Sequence, residues 1–357
     1  MAMTSFGVND ALAVKLYAKS MAVAEREMLD IAPLFGSDPN SIIHVKDETS
    51  KGAGDKVTFA LRTRLAGDGR TENEVAEGNG EALSIYSDSI LINELGHIVG
   101  VKSENTIDAQ RVHMNLREEA KDALAEWWAD RKSAWFFNQM CGYTVQTNTK
   151  YTGLNAVVAP SSTRRIVAGS GTADQDITSA DTFTLNLIDQ AVEMAKVGNN
   201  MVKPVRIGGG KKYVMYLHPY QVTSMRTNAS TGQWLDIQKA AMAGMESSKS
   251  PIYSGALGEY NGVILRTSQD VTQGVNGSSG AAITTVRRAV LLGAQAAVAA
   301  HGKKNTGVNK YRWNEELLDH KRKLEVSAWG ICGLKKTVFN SVDFGSIVVS
   351  SYATASS

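Results

Sequence analysis

RVHMNLREEAKDALAEWWADRKSAWFFNQMC, residues Arg111–Cys141, is the longest helical run in the sequence, and the other segments are placed by reference to it. It holds no Pro and no Gly and is dense in Ala, Leu, Glu, Lys and Arg, which favour helix. Asn115 followed by Glu118 predicts an N-cap with a reciprocal carboxylate. Gly142 stands where a left-handed residue ends a helix. Leu116, Ala120, Ala123, Leu124, Trp127, Ala134 and Trp135 recur at three-to-four spacing and predict one apolar stripe. Glu118, Glu119, Lys121, Asp122, Asp130, Arg131 and Lys132 fill the other faces with both signs of charge. About 27 residues rising ~1.5 Å each give a rod of roughly 40 Å. A rod of that length reads as a spar on which shorter elements lean.

The chain has 357 residues, beyond the size that one core usually serves, so two or three subdomains are expected. A 43% apolar and 21% charged composition is that of a folded protein. Net charge is only +2, so no global field draws the chain onto nucleic acid or a membrane surface. No apolar run approaches the ~18 residues of a membrane span. The N-terminal stretch has no basic segment ahead of an apolar one, so no secretory leader is expected. Cys141 and Cys332 are the only cysteines and read as free thiols of a reducing compartment, with a single bridge as the alternative.

Asn9–Leu34 has the spacing of an amphipathic helix ended by Pro33, an arm of the kind that partners hold in place. Ser41–Val101 is the second distinctive stretch. SIIHVKDE (41–48), DKVTFALRTRL (55–65) and ALSIYSDSILINEL (82–95) alternate as strands do. Thr58, Ala60, Arg62 and Arg64 oppose Val57, Phe59, Leu61 and Leu65, so the ribbon has one wet face. Its two long strands flank a polar, Gly-rich tip, AGDGRTENEVAEGNGEA (66–82). A tip this long without a core of its own has a function. A two-stranded ribbon alone in water is marginal and needs cover, from its own chain or from another copy.

Charge is distributed unevenly. Asp68, Glu72, Glu74, Glu77, Glu81, Asp88 and Glu94 face only Arg70 between Gly67 and Leu95. Lys303, Lys304, Lys310, Arg312, Lys321, Arg322 and Lys323 outweigh Glu315, Glu316 and Asp319 farther on. Lys203, Arg206, Lys211 and Lys212 form another basic cluster. An acidic arm with basic patches elsewhere has the complementarity of a contact between subunits, though each run also reads as a solvated face.

Beyond the long helix, Tyr143–Asn155 is polar and Thr-rich, and 157–181 reads as loop with a short strand. Ser179 or Asp181 predicts the cap of a helix at Thr182–Val197. A buried strand at Tyr213–Leu217 leads into a helix starting at Pro219, and Trp234–Met245 reads as another short helix. Asn261-Gly262 marks a tight turn into a strand, and 274–282 reads as a flexible loop. Apolar and charged strand-like runs close the chain. The total is mixed α+β, with no internal repeat.

The sequence carries no strong signature of chemistry. RIGGGKK (206–212) lacks the Ser or Thr of a phosphate loop and precedes its strand rather than following it. The six histidines show no metal-ligand spacing among themselves or to a cysteine. A Cys–His pair, from Cys141 or Cys332, is left open only in space. Adjacent carboxylates at 118–119 and 315–316 diverge on a helix. Trp127, Trp128 and Trp135 fit core or interface anchors better than a base-stacking platform. No catalytic residue, cofactor or metal is expected.

In their order, VNDALAVKLYAKS (8–20), SIIHVKDETSKGAGDKVTFALRTRLAGDG (41–69), EGNGEALSIYSDSILI (77–92), REEAKDALAEWWADR (117–131), FNQMCGY (137–143) and GALGEYNGVIL (255–265) resemble the enquatrovirus-type family of tailed-phage major capsid proteins, which has the HK97-like fold. The resemblance implies an N-terminal arm (1–44), an extended E-loop hairpin (45–101), a spine helix with part of the peripheral domain (102–204), an axial domain (205–300), and a return to the peripheral domain with C-terminal strands (301–357). It implies a non-enzymatic subunit that self-assembles into an icosahedral shell around double-stranded DNA. Its partners would be further copies in hexamers and pentamers, with scaffolding, portal and decoration proteins. DNA would be enclosed without sequence-specific binding, no membrane would be involved, and assembly would take place in the bacterial cytoplasm. Glu72, Glu74, Glu77, Glu81, Arg62, Arg64, Trp127, Trp128 and Trp135 are the expected assembly contacts. An encapsulin-like compartment shares the fold and is one alternative; a soluble enzyme is another. Lys51 and Lys56 lie in the stretch where some relatives cross-link, but nothing in the sequence supplies their partners.

Overall fold

The structure, a computed structural model, describes residues 11–46, 54–62, 65, 67–75, 77–102, 106–111, 115–197, 201–207, 210–227, 258–302 and 311–355. Arg64 and the helix expected at 234–245 lie outside the described residues. In chain order the elements are α1 (Ala11–Met28), β1 (Phe35–Gly36), β2 (Ile43–Lys46), β3 (Lys56–Arg62), β4 (Ile85–Leu91), β5 (Asn93–Lys102), α2 (Ile107–Arg111), α3 (Leu116–Met140), α4 (Thr149–Thr152), β6 (Arg165–Val167), α5 (Leu185–Lys196), β7 (Val205–Ile207), β8 (Gly210–Leu217) and α6 (Pro219–Thr227). There follow β9 (Gly258–Tyr260), β10 (Val263–Thr267), β11 (Gln273–Val275), β12 (Ala282–Leu292), β13 (Ala297–His301), β14 (Arg312–Leu318), β15 (Lys323–Lys336), β16 (Val338–Phe339), β17 (Val342–Asp343) and β18 (Ser346–Tyr352).

Two sheets organise the body. One runs β1-β2-β13-β15-β14, with β5 also on β15; the other runs β6-β18-β12-β8-β10-β9, with β11 on β12 and β7 on β8. The long helix α3 connects them. Its first half packs on the six-stranded sheet, where Trp128 is fully buried. Its last turns reach the eight-stranded sheet, where the rings of Phe136 and Phe137 meet Tyr216 at 6.5 and 5.4 Å. Burial therefore widens from a stripe to the whole circumference, and residues 135–141 are all buried. The single stripe expected from spacing holds only for the first half. Asn138 and Gln139 are buried too, because their amides hydrogen-bond backbone carbonyls.

The helix is shorter than Arg111–Cys141. Asn115 caps it by accepting from the Arg117 N–H at 3.1 Å. That bond goes to the second helical residue rather than to Glu118, the third, so the expected reciprocal pairing gives way to a simple N-cap. Gly142 follows at φ +65°, as expected of a terminator. α1 is packed by its own chain rather than held only by partners. Met21 is buried in the core shared with α3, and Glu25 pairs with Lys132 at 2.7 Å. A second core packs α5 and α6 on the eight-stranded sheet through Phe183, Ile188, Met215, Leu291 and Val349. Thr184, not Ser179 or Asp181, occupies the N-cap position of α5; Asp181 instead accepts from the Thr178 N–H and hydroxyl. Asn261 (φ 46°) and Gly262 (φ 75°) make the tight β9–β10 turn. The 274–282 stretch is an ordered β11–β12 connection, with Asn276 accepting from the Ser278 and Ser279 N–H groups.

Candidate functional site

β3 and β4 form a hairpin that leaves the body. Its register pairs Val57 with Ile90, Phe59 with Asp88 and Leu61 with Tyr86. The ribbon is shorter than the sequence pattern indicates. β2 pairs in parallel with β13, and β5 pairs along its whole length with β15, so both flanks of 45–101 belong to the body. The stretch from 82 to 102 is rich in strand-favouring residues, with no Pro and no turn signal where the chain changes sheet at Ile92, whose N–H bonds the Asp55 carbonyl at 2.9 Å.

The ribbon carries apolar side chains past the edge of its own protein, and there they lie on both faces: Tyr86 pairs with Leu61, whereas Ile85 pairs with Arg62 on the wet face. At the root, Val57, Ile90 and Ile92 are buried against Val298 and Ala300. Phe59 meets Phe339 edge-on at 5.9 Å. Farther out, exposure reaches 58% at Leu65, 51% at Leu83, 60% at Ile85 and 72% at Val75. Full burial of each such side chain contributes about 1.5–3 kcal/mol, and this chain leaves most of that unused.

The acids of the tip divide into two kinds. Glu81 accepts from the Gly67 N–H at 2.8 Å and closes the neck. Glu74 accepts from the Thr71 N–H at 3.3 Å and lies 3.7 Å from Arg70. Glu72 and Glu77 are exposed with no ion-pair partner among the described residues. Arg62 is exposed on the wet face. Asp88, counted with the acidic arm from sequence, is part of the mount: it pairs with Lys335 and accepts from the Val338 N–H. The basic patches are exposed at Lys203, Arg206 and Lys211 and at Arg312, Lys321, Arg322 and Lys323, whereas Lys212 pairs with Glu259 at 2.6 Å. Asp319, His320 and Lys321 all have positive φ, a strained turn that carries the second patch outward.

The structure does not bring the three tryptophans together with the tip. Trp128 and Trp135 are core residues, with Trp135 Nε1 donating to the Lys150 carbonyl at 2.9 Å. Trp127 is only half-buried, a correction to its place in the apolar stripe. It stacks on His97 at 4.8 Å with Arg131 over its ring at 4.9 Å. The two adjacent indoles meet edge-on at 5.4 Å; Trp128 is fully buried, while Trp127 lies at the rim against His97 of β5.

Spacing gave no sign of the buried ion pairs that tie distant segments together. Asp174 is fully buried between Arg288 at 2.7 Å and Arg165 at 2.8 Å. Burial pushes its carboxyl up, but Arg288, the Ser350 hydroxyl, the Val275 N–H and Arg165 together hold it below the usual range. Lys336 pairs with Asp343 at 2.9 Å, both nearly inaccessible, and burial lowers the lysine despite the aspartate. Arg117 forks onto buried Glu315 at 2.6 and 2.7 Å. Burial beside Arg287 lowers His218 to about 4, so it is neutral near pH 7.

A groove of about 1110 Å³ lies between α1, α3 and the six-stranded sheet. His301 and Cys332 line it as cross-strand neighbours in β13 and β15. Both cysteines are buried thiols outside any disulfide, and burial pushes the Cys141 thiol up. Among the described residues there is no cluster of metal-ligating side chains, and no helix is long and apolar enough to cross a membrane.

Known proteins agree with this geometry. The family described as phage capsid protein matches residues 5–355. The major capsid protein of Pseudomonas phage KPP25 is 26% identical over 347 residues, 88% of each chain. The capsid of Ralstonia phage GP4 superposes with a TM-score of 0.77 at 30% identity, covering 91% of this chain and 90% of that one. The Cyanophage Pam1 capsid shares the fold at a TM-score of 0.71 and 18% identity, covering 91% and 92%. The chain belongs to the phage capsid protein family: it is a major capsid protein of the HK97-like fold, the subunit from which a phage shell is built.

Proposed function

We propose that copies of this chain join as hexamers and pentamers into an icosahedral shell around double-stranded DNA, each hairpin lying on a neighbouring copy. The observation that carries this reading is the set of apolar side chains that the outer ribbon leaves exposed beyond its own body, Leu83, Ile85 and Tyr86 among them. The acidic tip adds direction, since Glu72 and Glu77 complement exposed basic patches such as Lys321–Lys323. Many weak contacts per subunit give cooperative closure. A net charge of +2 suits a wall that contains DNA without gripping it. In this reading the subunit performs no catalysis, assembles in the bacterial cytoplasm, and meets scaffolding, portal and decoration proteins there.

The test is to purify the assembled particles, treat them with nuclease, and examine them by electron microscopy. Closed icosahedral particles holding protected DNA are the expected result. Particles filled with protein cargo, or a small discrete oligomer, would overturn it. Changing Glu72, Glu74 and Glu77 together to Lys should abolish closure while the subunit stays folded.

A further inference from the structure

We infer that Asn155 sets the direction in which the hairpin leaves the body, and with it the curvature at which copies join. The inference rests on the docking reading above. Leu91, the last residue of β4, has the Asn155 side chain beside it where a further strand would run. Asn155 Oδ1 accepts from the Leu91 N–H at 2.9 Å, and its Nδ2 donates to the Leu91 carbonyl at 2.8 Å. One side-chain amide therefore meets both backbone groups of one residue, as a ladder neighbour does. Asn155 is buried, and its own carbonyl accepts from Gln139 Nε2 of α3 at 2.8 Å.

The same helix holds the rest of the segment. Trp135 Nε1 reaches the Lys150 carbonyl at 2.9 Å, and Asn138 Nδ2 reaches the Tyr151 carbonyl at 3.0 Å. Residues 148–155 are thus a bracket fixed to the long helix, with Asn155 gripping the ribbon at its free end. On the other side the ribbon lies against β15. A Cβ on Gly333 would collide with the Leu91 carbonyl oxygen, so only glycine permits this approach. Lys335 Nζ donates to the Ser89 carbonyl at 2.9 Å.

Leverage makes this grip matter. Six residue steps from Leu91 to Ile85 span about 20 Å, so a tilt of ~10° at the root moves the outer ribbon by about 3.5 Å. That displacement exceeds the tolerance of a hydrogen bond or close ion pair. A loosened root leaves the contact surfaces intact and changes the angle between the bodies they join.

The experiment compares assembled particles of the wild type, Asn155→Ala and Asn155→Asp by electron microscopy, with amide exchange measured on the unassembled subunits. The aspartate keeps the size and the acceptor but loses the amide donor. The expected result is a diameter distribution at least twofold wider for Asn155→Ala, with open sheets or mixed sizes, and a smaller broadening for Asn155→Asp. Leu91 amide exchange should be at least tenfold faster in Asn155→Ala, with exchange in the first half of α3 unchanged. Wild-type diameters from both variants, or from Asn155→Asp where Asn155→Ala does not fold, overturn the inference. The Glu72, Glu74 and Glu77 reversal, run in parallel, separates the two ideas. If that chain closes normally, docking falls and this inference falls with it; if it fails to close while the Asn155 variants are normal, docking stands and the clamp falls.

Discussion

The two ends of one hairpin are built by opposite rules. At the root, Val57 and Ile90 are buried, and Asp88, Ser89 and Leu91 are each held by a side chain from elsewhere in the chain. At the tip, the described residues from Gly67 to Leu83 are exposed, and the bonds are local ones such as Gly67 to Glu81. The root is specified by its own subunit; in the proposed docking, the tip is completed by another. A subunit that buried the whole ribbon on itself would gain stability and lose its means of joining copies.

This comparison can be broken or sharpened by substitutions ranked by their effect on the isolated subunit. The largest losses are expected where a buried charge loses its partner or a core ring is removed. Lys336→Met removes the ion-pair partner of buried Asp343, leaving it only the Ser161 N–H and the nearby Arg164, and should cost about 3 kcal/mol in denaturant unfolding. Trp128→Ala should cost about 3–5 kcal/mol through the cavity it opens, while Trp127→Ala should cost about 1 kcal/mol because that ring is half outside. Equal losses at the two positions would contradict their different burial.

Acid should act at the same deep level. His218 titrates near 4 when folded against 6.5 when unfolded, so the unfolded chain takes up the proton first. Its contribution is full above pH 6.5 and is lost as pH falls toward 4. Asp174, depressed in the fold, keeps its contribution above the ordinary carboxylate range and loses it on further acidification. Subunit unfolding temperature should therefore fall between about pH 6.5 and about pH 4 through His218, and further on stronger acidification through Asp174; a flat profile in either window would contradict the assignment made there.

The smallest effect on the subunit belongs to the tip. Reversal of Glu72, Glu74 and Glu77 should change its stability by no more than about 0.5 kcal/mol while preventing closure. High salt should weaken the first assemblies by the same exposed charges, read as a shift toward free subunits in light scattering.

Much of this was legible in the chain. The long helix, its Asn115 cap and Gly142 stop, the strand-to-helix passage at Pro219 and the Asn261-Gly262 turn all follow from local preferences that act within a few residues. The polar tip was legible as well, since no core residues lie in it. The mount was not. Tyr143–Asn155 reads as an ordinary polar segment, and Asp88 reads as one more acid on the arm. Their partners, Gln139, Leu91 and Lys335, become neighbours only when three remote segments converge.

The sequence by itself therefore determined which segments are helix, ribbon and tip, and that one face of the ribbon needs cover. These properties depend on spacing along the chain. Only the tertiary structure decided where the ribbon ends and the sheet begins, which of two adjacent tryptophans enters the core, and which buried charges pair. Those outcomes depend on which surfaces meet. The energy of a buried pair or a filled cavity belongs to the meeting of its parts and cannot be read from either part alone.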